Sequence, residues 1–134
     1  MSYSYEHPER GKQLILFDDM VYQNNARPTD VDALIEYKDK AWVIVEVKHR
    51  NKPVPVGQEI AYERLAHDLS KTGKPTLYIV AEHSIDDPRQ EVQLRTCSVR
   101  GFVYDNKWYK AKMSVGRLVD SFLQAQTGSG INVH

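Results

Sequence analysis

AWVIVEV, residues 41–47, is the most apolar run in the chain and is rich in β-branched side chains. Such a run predicts a central strand covered on both faces of a sheet. The segment before it, residues 31–37 (VDALIEY), is typical of a second strand, and a polar Lys-Asp-Lys turn joins the two. We therefore predict an antiparallel hairpin in which Tyr37 pairs with Ala41.

The chain that follows the hairpin predicts a crossover to a parallel strand. Gly57 to about Lys71 is typical of a helix, and Thr76–Ala81 (TLYIVA) is typical of another buried strand. Strand, helix and strand in this order predict two neighbouring parallel strands. The predicted apolar stripe of the helix comprises Ile60, Ala61, Leu65 and Leu69.

The remaining segments predict further helices and strands. They are a helix from Pro8 to about Tyr22, a half-exposed strand at Val92–Val99, a hairpin with its turn at residues 105–107, and a helix at Val115–Gln124. The predicted fold class is therefore α/β, with a mixed central β-sheet flanked by helices.

Size and composition indicate a single domain. The chain has 134 residues, of which 41% are hydrophobic, enough for one core. We predict one domain over residues 1–134, with loose tails at 1–7 and 127–134. The one cysteine, Cys97, suits a reducing compartment. No secretory signal or membrane-spanning run is evident, so we expect a cytoplasmic protein without a membrane partner.

Charge gives no overall indication of a nucleic-acid partner. Eighteen basic and eighteen acidic residues cancel to a net charge of zero. This balance counts mildly against nucleic acid, although a local basic surface would suffice for binding.

Two charged residues interrupt the apolar strand at its end. Glu46 and Lys48 share one face by alternation, and burying them is costly unless they are paired or bind something. Asp32 begins the preceding strand, and counting outward from the turn brings it close to Glu46. A structural ion pair between Asp32 and Lys48 is an equally good explanation of these residues alone.

The same residue types also suit metal-dependent hydrolysis. Two adjacent carboxylates with open positions are a donor set that Mg²⁺ or Mn²⁺ accepts. A neighbouring lysine could act on an attacking water or stabilise the developing charge.

Together these motifs resemble the signature of the PD-(D/E)XK nuclease superfamily. Pro28–Asp32 (PTDVD) and Glu46–Lys48 (EVK) carry the resemblance. It implies a restriction-endonuclease-like αβββαβ-type core and a phosphodiester hydrolase that acts on DNA in preference to RNA. Its metal ligands would be Asp32, Glu46 and the backbone carbonyl of Val47. Asp30 is the alternative to Asp32.

A further motif resembles the RecB-like branch of that superfamily. Gln58 and Tyr62, in GQEIAY, match its Gln-x-x-x-Tyr element, and a spacing of four puts them on one helix face. The resemblance implies that both line the catalytic site. The structural alternative is a polar residue at a helix start and a half-buried tyrosine.

A first-helix carboxylate is less well defined. The resemblance implies a further metal ligand there, and Glu9 is the first candidate by order. Its competitors are Glu6, Asp18 and Asp19.

Basic and aromatic residues give weaker indications of nucleic-acid binding. His49, Arg50 and Lys52 form a basic loop after the Glu-x-Lys motif, which could contact phosphates or simply be solvated. The later residues that could extend a basic track or stack on bases, with surface exposure or packing as the simpler explanation, are Arg95, Arg100, Tyr104, Lys107, Trp108, Tyr109, Lys110 and Lys112.

The sequence thus favours a Mg²⁺- or Mn²⁺-dependent nuclease, and by resemblance one related to phage or mobile elements. The second hypothesis is a catalytically inactive module of the same fold that binds nucleic acid or a protein partner. A homodimer is compatible with either hypothesis, because two-fold dimers are the commonest oligomers.

Overall fold

The structure, a computed structural model, describes residues 15–127. The chain divides into two units, Met1–Asp30 and Val31–His134. The prediction of one domain over the whole chain stays a prediction. Thr127, predicted as the first residue of the C-terminal tail, is instead the last residue of a helix. The rest of that tail and residues 1–7 lie outside the described residues.

The first unit corrects the prediction of an N-terminal helix. Residues 15–22 are not helical, and the regular backbone described in this unit is a 3-10 turn at Gln23–Asn25. An amphipathic helix is stabilised mainly by burying its apolar face, and here Ile15 is 83% exposed. Residues 8–14 of the predicted helix lie outside the described residues.

The second unit is an α/β fold, as predicted. The described residues form a five-stranded sheet in the order β1-β2-β3-β4-β5, and two helices flank it. Neighbouring strands are antiparallel except for the parallel pair β2–β3. The element bounds are β1 Ala33–Tyr37, β2 Ala41–His49, α1 Val56–Ser70, β3 Thr76–His83, β4 Ser98–Tyr104, β5 Lys107–Tyr109 and α2 Val115–Thr127.

The β1–β2 hairpin has the predicted register. Tyr37 pairs with Ala41, and the Lys40 N–H donates to the Tyr37 carbonyl over 2.7 Å. Lys38 and Asp39 have φ values of 47° and 61°. Left-handed residues at both central positions match the twist of a tight hairpin, so this turn fixes which residues of β1 and β2 face each other.

The sheet buries a separate hydrophobic cluster on each face. One cluster includes Val43 and Val45 of β2 together with buried residues of α2, and the other includes Ile44 of β2 together with Tyr62 and Ala66 of α1. We call the second surface the α1 face. Side chains alternate along a strand, so residues 46 and 48 follow Ile44 onto the α1 face.

The buried stripe of α1 differs from the predicted one. Ile60 and Leu65 are 39% and 40% exposed, whereas Tyr62 and Ala66 are buried. The Tyr62 ring packs against Tyr78 with 5.5 Å between centroids. The large aromatic side chain therefore sets the orientation of the helix, rather than the aliphatic residues on its other side.

The predicted strand at Val92–Val99 is also wrong in its first half. Leu94–Thr96 form a 3-10 turn, and β4 begins only at Ser98. The Cys97 N–H donates to the Leu94 carbonyl over 3.1 Å. These backbone groups bond locally and are not available to a neighbouring strand.

Among the described residues, no helix combines the length and the apolar character that crossing a membrane requires.

Candidate active site

The hairpin places Asp32 beside the end of β2. The last paired residues of β1 and β2 are Ala33 and Val45, so one further step of this register sets Asp32 opposite Glu46. Asp32 Oδ2 accepts a hydrogen bond of 2.7 Å from the Val47 N–H. The turn at the far end of the hairpin thus determines the position of this carboxylate, as the sequence predicts.

Glu46 is a buried carboxylate with one satisfied oxygen. The residue is 3% exposed, and its Oε1 lies 3.1 Å from Lys48 Nζ. Its Oε2 is buried without a hydrogen-bond partner. A buried oxygen in this state costs on the order of 1–3 kcal/mol or more when charged, so the position is unfavourable unless something binds there.

The charges around Glu46 oppose one another. Burial raises the pKa of the Glu46 carboxyl, and the nearby Asp32 raises this pKa further, whereas Lys48 lowers it. The two carboxyl groups are therefore close enough to repel each other, and the ammonium of Lys48 pairs with Glu46. A divalent cation would relieve their repulsion.

The ion pair of Lys48 with Glu46 differs from the structural ion pair that the sequence also allowed, which joins Lys48 to Asp32. That alternative requires contact between Asp32 and Lys48. In the described part of the chain, Lys48 pairs with Glu46, and Asp32 bonds to the β2 backbone. Lys48 is thus held on the strand face that carries Glu46.

The helix α1 covers this same face. Tyr62 is buried with Ile44 and Val80, and Gln58, one helical turn earlier, has a buried Oε1. Tyr62 is fully buried, so the half-buried tyrosine of the structural alternative is wrong. Whether Gln58 and Tyr62 act on a substrate stays a prediction.

Tyr78 is a neighbour that the sequence did not single out. Its hydroxyl is buried without a hydrogen-bond partner. Burial raises its pKa above the ordinary range, and Glu59 and Glu46 raise it further. The tyrosine inside TLYIVA was a usable signal, because a hydroxyl in a buried strand needs a partner.

The basic loop is partly neutralised by an acid from another loop. His49 Nε2 lies 2.9 Å from Asp86 Oδ1, and Arg50 Nη2 donates to the same oxygen over 3.0 Å. The Lys52 carbonyl accepts a bond of 2.7 Å from Arg100. The sequence did not predict these partners, because they lie more than 30 positions away along the chain and only the fold brings them together.

The other candidate carboxylates do not belong to the unit that carries the described site. Asp30, Asp18 and Asp19 belong to the unit Met1–Asp30. Glu9 and Glu6 lie outside the described residues. The site as described is built from the unit Val31–His134 alone.

The donor set fits a cation that keeps much of its water. No group of three or more His, Cys, Asp or Glu side chains within residues 15–127 is placed to hold a metal ion. Mg²⁺, however, is often held by one or two carboxylates and several waters. The unsatisfied Glu46 Oε2 beside Asp32 therefore fits such an ion, and the Val47 carbonyl stays a predicted ligand.

The chain was also compared with known proteins. No protein-family model, curated protein or solved structure matches it.

Proposed function

We propose that this protein is a metal-dependent nuclease of the PD-(D/E)XK superfamily, in its RecB-like branch, and that it hydrolyses phosphodiester bonds of DNA in preference to RNA. One observation carries the proposal. Glu46 is buried at 3% exposure beside Asp32, with one oxygen unsatisfied. A carboxylate pair so placed is costly in itself and favourable around a cation.

Each residue has a proposed role. Asp32, Glu46 and the Val47 carbonyl would hold Mg²⁺ or Mn²⁺. When bound, the ion would supply Lewis acidity toward a phosphoryl oxygen and a lower pKa for an attacking water. Lys48, already fixed by Glu46 over 3.1 Å, would orient that water or stabilise the developing negative charge. Gln58 and Tyr62 would position the substrate strand.

The second candidate is a nuclease-fold module that binds nucleic acid or a protein without cutting. Two observations favour it, namely the absence of a third ligating side chain among the described residues and the net charge of zero. For either candidate we propose a cytoplasmic location, where a lone buried thiol such as Cys97 stays reduced.

Cleavage assays with a matched pair of lysine variants test the proposal. Wild type, Lys48→Ala and Lys40→Ala are incubated with Mg²⁺ or Mn²⁺ and end-labelled single- and double-stranded DNA and RNA. Lys40 is an exposed lysine in the β1–β2 turn, so Lys40→Ala controls for a general loss of charge. We expect cleavage of DNA, at least a hundredfold slower in Lys48→Ala and within about threefold of wild type in Lys40→Ala.

Two results would contradict the proposal. Binding without cleavage of all four substrates with both metals would support the inactive module. Equal cleavage by wild type and Lys48→Ala would remove the catalytic role of Lys48. Thermal melting of each variant verifies that the compared proteins are folded.

A further inference from the structure

A cavity of about 620 Å³ lies on the α1 face beside the proposed catalytic site. Val80 and Gly101 line it, and the strand register pairs Glu46 with Val80 and Val80 with Gly101. Neighbouring strands are about 4.8 Å apart. The cavity therefore begins one strand away from Glu46, and its volume is in the range of small-molecule sites.

Trp108 forms a fixed aromatic wall of this cavity. Its Nε1–H donates to Glu63 on α1 over 3.1 Å, and its ring meets Tyr78 edge-on at 5.8 Å. At Gly101, a Cβ would lie 3.6 Å from two carbons of the indole, so a larger side chain there would crowd the ring. The indole is still 46% exposed, which leaves aromatic surface for a ligand.

Two cations also line the cavity, together with one acid. Arg100 is held in place by Glu82 through a 2.9 Å bond and by the Lys52 carbonyl through a 2.7 Å bond. Lys110 is the second cation, and Glu59 is the acid among the described lining residues. A fixed guanidinium and a lysine suit a phosphate, and a carboxylate can accept from the amino group of a base.

The hairpin of β4 and β5 carries the same two residue types on its opposite faces. Trp108 pairs with Val103, whose side chain belongs to the α1-face cluster, and Lys110 follows on that face by alternation. Tyr104 and Lys107 pair with each other on the opposite face, and neither is among the described residues that line the cavity. Tyr109 also lines the cavity, so it is unsuitable as a control. Each face of the hairpin thus offers one aromatic ring and one lysine, and Tyr104 with Lys107 is the pair outside the cavity.

We propose that this cavity binds an unstacked nucleotide next to the scissile phosphate, with its base on Trp108 and its phosphate near Arg100 and Lys110. This inference rests on the proposed nuclease function and narrows the substrate to nucleic acid with an unpaired strand. A base within a duplex is stacked on its neighbours and cannot lie against an indole unless it leaves the stack.

Binding is measured without metal, so that it does not depend on cleavage. The chain has two tryptophans, and Trp42→Phe leaves Trp108 as the fluorophore. We expect oligothymidylate in EDTA to quench its emission on binding. Anisotropy of a labelled oligothymidylate then compares Trp108→Leu/Lys110→Ala with the matched control Tyr104→Leu/Lys107→Ala, with oligouridylate and a blunt DNA hairpin as further ligands.

We expect the cavity-face pair to weaken binding of oligothymidylate at least tenfold and the control pair less than threefold. Trp108→Phe keeps an aromatic ring and should stay within about threefold of wild type, provided that it melts as wild type does. Tighter binding of oligothymidylate than of the blunt hairpin is also expected. If oligouridylate binds as tightly as oligothymidylate, the ligand of the cavity includes unpaired RNA.

Equal weakening by both double variants, or equal affinity for hairpin and single strand, would overturn the inference. The proposed nuclease function is judged separately, by adding Mn²⁺ to the same proteins. If the protein cleaves DNA but replacement of Trp108 does not weaken binding, the inference about the nucleotide cavity is overturned and the proposed nuclease function is not. Trp108-dependent binding without cleavage would overturn the nuclease and leave the cavity supported.

Discussion

Glu46 is a buried carboxylate at a strand position where an aliphatic side chain would be more stable. The strand around it is built from buried aliphatic side chains, and Ile44 and Val45 are fully buried. Lys48 satisfies one oxygen of Glu46, and Asp32 adds a second negative charge nearby. A residue that breaks the local pattern without full compensation is expected at a functional site, and this expectation has consequences that can be measured without any substrate.

Replacing Glu46 by its neutral amide should stabilise the protein in the absence of metal. Glu46→Gln keeps the shape of the side chain and removes both the buried charge and its repulsion with Asp32. We expect the free energy of unfolding in urea to rise by about 1 kcal/mol. Glu91→Gln, at an exposed position, is the control and should leave it unchanged. A clear loss of stability in Glu46→Gln would contradict this view of the site.

The pH dependence of stability should change in the same variant. Burial raises the pKa of Glu46 above its ordinary value of 4.5, so the folded state binds this proton more tightly than the unfolded state. The stabilisation is present below pH 4.5 and is lost as pH rises through the higher pKa of the folded state. Urea titrations at a series of pH values give the free energy of unfolding of wild type minus that of Glu46→Gln. This difference should decline from pH 4 upward. A flat difference would refute the raised pKa.

The helix α1 shows at the scale of an element how the site is assembled. Its sheet-facing residues are Tyr62 and Ala66, whereas Ile60 and Leu65 remain substantially exposed. The motif residues Gln58 and Tyr62 therefore belong to the face that packs toward the sheet. We infer that the contact of Tyr62 with Tyr78 both holds the helix and places the start of α1 near Glu46.

Two truncations on α1 test this orientation. Tyr62→Ala should lower the free energy of unfolding by about 3–5 kcal/mol, as for other large buried side chains. Leu65→Ala removes an aliphatic side chain from the exposed side of the helix and should lower the free energy of unfolding by less than about 1 kcal/mol. Chemical denaturation measures both. Similar losses in the two variants would mean that α1 packs through its aliphatic side.

Elements with strong local signals were predictable from the sequence, and those that depend on distant contacts were not. The hairpin register followed from a three-residue turn, and the parallel crossover followed from the strand–helix–strand order. The buried face of α1 could not be predicted in this way. Ile60 and Leu65 are typical core residues by type, and only the folded structure shows that they are exposed. The partnership of Asp86 with His49 and Arg50 was equally invisible, because folding alone brings these loops together.

At the scale of the whole molecule, acidic and basic residues lie at different edges of the sheet, although the net charge is zero. The register sets Glu46, Val80 and Gly101 in one row, and continuing it by one residue at each edge adds Asp32 and Lys110. The row is acidic at one end and basic at the other. A net charge of zero conceals this asymmetry, which is why composition did not indicate the basic cavity.

Metal-dependent cleavage of a labelled single-stranded DNA by wild type, Asp32→Asn and Asp30→Asn tests the central claim most directly. Asp32 is bonded to β2 beside Glu46, and Asp30→Asn removes the neighbouring carboxylate of the same sequence motif as a matched control. We predict cleavage with Mn²⁺ by wild type and Asp30→Asn, and a loss of at least a hundredfold in Asp32→Asn. Absence of cleavage by wild type, or undiminished cleavage by Asp32→Asn, would contradict the claim that Asp32 and Glu46 form a nuclease site.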